Sequence, residues 1–189
     1  MRDPRWILLA SLALVAASGC RKPPPSARTP EGTLALLRAS LATGNPAIER
    51  VSDVRLLSEA RALLQARELQ DRIGVPITTS GVNLAIGEHA PETDPQRAFA
   101  GVLPMLGSGH CVRIGDAPVP DLIRPVPEPG EHWPQRVLDM QVSVARRAQN
   151  AIAGDYRCDG GPSFGAVFSH PFPDDGTLRV ALIAPSRHR

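Results

Sequence analysis

The hydrophobic period changes along this chain, from helical spacing in its first half to alternation in its last third, so one fold must bury both kinds of element. Thr29-Pro30-Glu31 reads as a helix start with proline at the first helical position, and Leu34, Leu37 and Leu41 carry an apolar stripe to Gly44. Asn45-Pro46 repeats the start signal. Ile48, Val51, Val54, Leu57, Ala60 and Leu64 then continue a second stripe toward Ile73, where Gly74 and Pro76 stop it. Glu68 and Arg72 have the order and spacing of a supporting ion pair. The short Thr43-Gly44-Asn45 link predicts that the two helices form a hairpin.

Val75, Ile77 and Thr79, then Val82, Leu84 and Ile86, alternate around Ser80-Gly81 in the pattern of a β-hairpin. Asp94-Pro95 starts a helix carrying Phe99, Val102 and Leu103, and residues 110–114 read as a short strand. Residues 115–134 hold six prolines, an irregular length more often functional or mobile than decorative. Residues 136–152 satisfy both periods. Leu138, Met140, Val142 and Val144 alternate, while Val137, Met140 or Gln141, Val144, Ala148 and Ile152 trace a helical stripe, and the length of the segment favours helix. Residues 156–158, 163–168 and 177–184 read as successive antiparallel strands, separated by turns at Asp159-Gly160-Gly161 and Asp174-Asp175-Gly176. Helices first and strands last predict an α+β fold, an N-terminal helical hairpin and further helices packed on one face of a mainly antiparallel sheet. The chain shows no internal repeat.

Twelve apolar and small residues, Trp6 to Ala17, follow an N-terminus carrying Arg2 and Arg5. As a helix they would span about 18 Å, short of the roughly 30 Å hydrocarbon core, which is the pattern of a removable export signal rather than a membrane span. The segment ends in Ala17-Ser18-Gly19-Cys20, which resembles the lipobox of bacterial lipoproteins, although the third residue before the cysteine is Ala17 where that family usually has leucine. The resemblance covers the first twenty residues and implies a signal peptide over 1–19, acyl chains such as palmitate on Cys20, and residence in the cell envelope, with Arg21 compatible with the outer membrane. Cleavage by the general signal peptidase after Ala17 is the competing reading. If Cys20 is acylated, Cys111 and Cys158 remain of the three cysteines, and an oxidising compartment would join them in a structural disulfide. Residues 20–30 are proline-rich and read as a tether, leaving residues 31–189 as a single domain.

Net charge is +2, and removal of residues 1–19 takes away two arginines and one aspartate, leaving +1. With no basic run longer than two residues, nucleic acid is not an expected partner. Lys22 is the only lysine. Gly161-Pro162-Ser163-Phe164-Gly165 matches a nucleophile-elbow pattern, with Asp174, Asp175 and His170 or His188 downstream, but the elbow needs a helix after the serine and the sequence there reads as strand. His110, Cys111, Cys158 and His170 are the ligand types of a zinc site without its usual spacing. His89 and His132 lie in loop-like sequence, and Asp159, Asp174 and Asp175 are ordinary turn residues. Trp133 either presents an aromatic ring to a partner or packs inward at the start of the following helix.

No catalytic residue, cofactor or metal is assigned on these grounds. The expected function is a lipid-anchored envelope protein with a non-catalytic binding or structural role, partnered by the membrane through Cys20 and by an envelope protein. A small exported hydrolase or a small-ligand-binding domain is the alternative.

Overall fold

A computed structural model describes residues 24–74, 78–82, 94–119 and 133–186. Cys20, the export segment, His89, His132 and His188 lie outside the described residues. The fold is α+β, with helices packed on a four-stranded antiparallel sheet of order β1-β2-β3-β4. The strands are β1 (Cys111–Asp116), β2 (Ile152–Cys158), β3 (Ser163–Ser169) and β4 (Arg179–Pro185), and the helices are α1 (Pro30–Thr43), α2 (Arg55–Ile73), α3 (Pro95–Phe99) and α4 (Gln135–Gln149).

Helix α1 begins where its cap chemistry places it: the Gly32 amide donates to Thr29 Oγ1 at 3.2 Å with Pro30 behind it, and Gly44 ends the helix at φ 64°. Upstream, the Leu178 amide donates to Ala27 O at 2.6 Å and Ala27 packs against the core, so the last residues expected in the tether already belong to the folded body. The second helical stripe does not form one helix. Asn45 caps a short 3-10 helix, Pro46–Arg50, and the chain then extends through residues 51–53 before α2 begins. The reason is the edge of the sheet. The Val180 amide donates to Val51 O and the Asp53 amide to Val180 O, each at 2.8 Å, so this short segment pairs in parallel with β4 and covers its open edge. The ion pairs on α2 among the described residues are Arg55 with Glu59 at 3.3 Å and Arg67 with Asp71 at 3.1 Å, the latter one residue back from the expected Glu68 and Arg72.

The β-hairpin expected around Ser80-Gly81 is not formed where the chain is described. Residues 79–82 make a helical turn, in which the Val82 amide donates to Thr78 O at 3.1 Å and the Gly81 amide to Thr78 Oγ1 at 3.0 Å. Thr78 acts as a helix cap, and capping outweighs the local alternation. Residues 75–77 and 83–93 lie outside the described residues. Residues 135–149 settle as helix α4, with Val137, Gln141, Val144 and Ala148 buried as one stripe. Strand β2 starts at Ile152, four residues earlier than expected, because Gly154 lets the strands close up. A Cβ there would stand 2.9 Å from Arg113 Nε and 3.2 Å from Gly115 O.

Helices cover both faces of the sheet rather than one. On one face Tyr156, Phe164, Phe168 and Val180 join Leu34, Leu37, Ile48 and Phe99; on the other Ala153, Val167 and Ala181 meet Leu56, Leu63, Val137 and Val144 from α2 and α4. Residues 164 and 166–168 are all buried, the reading of a strand covered on both sides. The two N-terminal helices accordingly follow one another in sequence but rest on opposite faces, α1 against β1 and β4, α2 against α4 and β4. Tyr156 packs edge-on to Phe168 with ring centroids 5.6 Å apart.

Cys111 and Cys158 are direct partners across β1 and β2, both buried, with their sulfur atoms at bonding distance. The bridge closes a 47-residue separation. Replacing both cysteines by serine is expected to lower unfolding free energy by about 4 kcal/mol on the chain-entropy account, read from urea midpoints of the oxidised parent and the variant.

Tyr156 is fully buried and its hydroxyl has no hydrogen-bond partner among the described residues. Burial pushes its pKa from 10.0 up to about 12, with Glu31 and Asp116 adding to the rise and the Arg113 charge opposing it. The folded value lies above the unfolded one, so the neutral hydroxyl contributes fully below the unfolded pKa, and that contribution is lost as pH rises through the folded one. Tyr156 is the only tyrosine and Lys22 the only lysine, which leaves few other groups to titrate there. Stability should therefore fall as pH climbs from about 10 to about 12, and Tyr156→Phe should flatten that fall and cost under about 1 kcal/mol at neutral pH, whereas Phe168→Ala should cost about 3 to 5 kcal/mol. Denaturant melts across this pH range, with tyrosinate absorbance as the titration signal, check both.

Candidate functional site

The one residue that ties the most elements together is Arg147, on the inner side of α4. Its Nε–H donates to Ser143 O at 3.3 Å, Nη1 to Asp53 Oδ1 at 2.8 Å, and Nη2 to Glu59 Oε2. The second oxygen of Asp53 accepts from the Ser169 hydroxyl at 2.8 Å, and Glu59 also takes Arg55 at 3.3 Å. Side-chain exposure is only 11% for Arg147, 8% for Asp53 and 11% for Glu59. Charges so far out of water are tolerable only when paired and hydrogen-bonded, and each of these three is.

The cluster forms part of the wall of a cleft of about 620 Å³ that also holds Glu49, Phe172, Asp175 and Arg179. Five pieces of chain build it: residues 49–59 around the turn beside β4, Pro95 at the start of α3, the inner face of α4, residues 171–175 after β3, and Arg179 on β4. Helix α2 starts here with Val54 at its cap and no side-chain hydrogen bond to its first turn. Asp53, which stands just ahead and is a natural capping residue, has both oxygens occupied by Arg147 and Ser169. Arg179 pairs across the sheet with Ser169, which turns its side chain to the same face. The Arg179 Nε is shielded from solvent and has no hydrogen-bond partner among the described residues. Asp175 is held below the usual carboxylate range by hydrogen bonds from the Thr177 hydroxyl and amide, with the Arg179 charge helping. Phe172 stands half exposed at the mouth, between Pro171 and Pro173.

The residues singled out from sequence mostly lie elsewhere. Ser163 opens β3 and is followed by strand, not helix, while His170 follows the far end of the same strand, about 20 Å away, so the elbow and its histidine do not meet. Cys111 and Cys158 bond to each other, and His110 donates from Nδ1 to Asp159 Oδ2 at 3.0 Å. His170 lies at the opposite end of the sheet, its Nδ1 3.6 Å from Asp174 Oδ1 and not hydrogen-bonded among the described residues, so the four zinc-ligand types are not brought together. Trp133 packs inward, its indole N–H donating to Gln70 Oε1 at 2.7 Å, which leaves the ring unavailable to a partner. Among the described residues no helix is long and apolar enough to cross a membrane.

Asp53, Glu59, Arg147 and Arg179 were missed by sequence reasoning. Their separations, from 6 to 126 positions, follow no local period, so no sequence signal marks them as a group. Arg147→Met leaves the buried Asp53 without its cation and Glu59 with only the exposed Arg55, and is expected to cost about 3 to 5 kcal/mol, against under about 1 kcal/mol for Arg55→Ala at the exposed rim, both by denaturant unfolding. Comparison with protein-family models, curated proteins and solved structures finds no match to this chain.

Proposed function

We propose that this chain is an exported protein of the cell envelope, anchored by acyl chains on Cys20, whose domain binds a ligand or partner in the Arg147 cleft without transforming it. The observation that carries the binding reading is the division of labour among the cleft charges. Asp53 and Glu59 are committed to Arg147, which holds the walls, while Arg179 and Phe172 remain unspent at the opening. Carboxylates whose oxygens are already taken by a guanidinium make poor general acids or bases, which favours binding over catalysis.

The lipobox-like Ala17-Ser18-Gly19-Cys20 supports the anchor, and a cystine cross-link fits an oxidising compartment. Because Ala27 is bonded to Leu178 and Pro24 and Pro25 lie beside His110 and Cys111, the proposed tether shortens to residues 20–23, a reach of roughly 12 Å from the bilayer at full extension. Acyl chains would supply the membrane affinity, with Arg21 and Lys22 adding attraction to anionic headgroups. The outer membrane is the proposed address.

Intact mass spectrometry of the membrane-extracted protein tests this reading. A chain starting at Cys20 and carrying two or three acyl groups is the expected product, and reduction should add two hydrogen masses for the Cys111–Cys158 bridge. A lipid-free chain starting at Ser18 would overturn the anchor.

A further inference from the structure

We infer that the cleft takes a small zwitterion of the amino-acid type, its carboxylate on Arg179 near the start of α2 and its ammonium toward Glu49 and Asp175. This rests on the cleft being a binding site, and it names what the site would hold.

The argument begins with which charges are left after the wall has satisfied itself. Arg147 is shared by Asp53 and Glu59, and Arg55 completes Glu59. The Arg179 side chain lines the cleft with no hydrogen bond or ion pair among the described residues, and because its Nε is enclosed, the outer guanidinium nitrogens are what it offers to a ligand. A planar carboxylate is the acceptor that matches a guanidinium fork. Beside it the first turn of α2 has a backbone bond from the Leu56 amide to Asp53 O but no side-chain cap, so the positive end of the helix dipole adds to the pull on an anion.

An anion alone does not complement the site. Glu49 is exposed and has no ion pair among the described residues, and Asp175 lines the same cleft with its charge within reach of Arg179. Two carboxylates on the same cleft repel a doubly charged phosphate and favour a cationic group a short distance from the anionic one. A free amino acid presents both on one carbon. Phe172, with Pro171, Pro173 and Pro95, offers an apolar lip for its side chain, and a cleft of about 620 Å³ is of the size that holds a small molecule.

Calorimetric titration of the detergent-solubilised full protein with a panel of free amino acids of both hands, their N-acetyl and amide derivatives, and inorganic phosphate tests the assignment. Saturable binding of at least one free amino acid is expected, with both blocked derivatives weaker by about ten-fold or more. Arg179→Gln should weaken the free amino acid by a similar factor while its melting temperature stays with the parent. Glu49→Gln, at an exposed position where folding is not at risk, should weaken the free amino acid and leave its anionic N-acetyl derivative no weaker. An N-acetyl derivative or phosphate binding as tightly as the free amino acid would overturn the zwitterion while leaving the cleft a binding site. No binding by any free amino acid, or full binding by Arg179→Gln, would overturn it as well; the anchor on Cys20 is read separately from the intact mass.

Discussion

One buried guanidinium decides how the pieces of this domain sit together. Arg147 reaches from α4 to Asp53 at the edge of the sheet and to Glu59 on the first turns of α2, and Asp53 passes the connection to Ser169 on β3. A buried charge network of this kind adds little net stability over well-packed apolar residues, because desolvation consumes most of the attraction. Its value is positional. Any register that moved the 51–53 segment along β4 would strand a charge in the interior, so the network excludes alternatives that hydrophobic contact alone would allow.

The rest of the packing is consistent with that arrangement. The face toward α2 and α4 is lined by Ala153, Val167 and Ala181, small enough for helices to approach closely, while the other face carries the rings of Tyr156, Phe164 and Phe168 beneath α1. The scarcity of aromatic residues in the chain is thus offset by concentrating Phe99, Tyr156, Phe164 and Phe168 in one layer. At the end of the sheet away from the cleft, the cystine ties β1 to its neighbour.

Much of this was legible where the signal is local. Thr29-Pro30 and Gly44 bound α1, Asp94-Pro95 opens α3, and the stripe Val137, Gln141, Val144 and Ala148 resolves the double period of residues 136–152 in favour of helix. The last three strands and the bridge between Cys111 and Cys158 also stood in the sequence. What did not was decided by partners far along the chain. The break at 51–54 exists because β4 supplies hydrogen bonds there, and Ser52-Asp53, though capping residue types, do not interrupt the apolar stripe from Ile48 to Leu57. Two-sided burial was masked by small residues: Gly154, Gly165 and Ala166 do not look like strand core until helices lie on both sides. The cleft was invisible for the same reason, since its charges meet only after α4 has crossed back over α2.

The unequal distribution of aromatic side chains between the two layers also makes the molecule self-reporting. Its single tyrosine, Tyr156, is enclosed in the layer under α1, and the one tryptophan among the described residues, Trp133, is enclosed in the other, bonded to Gln70 of α2. Tryptophan emission and tyrosine ultraviolet absorbance therefore report on opposite sides of the same sheet without any added label. Whether the layers come apart in one step or in sequence is written into the natural optics of the protein, and coincident or separated transitions of the two chromophores would tell them apart.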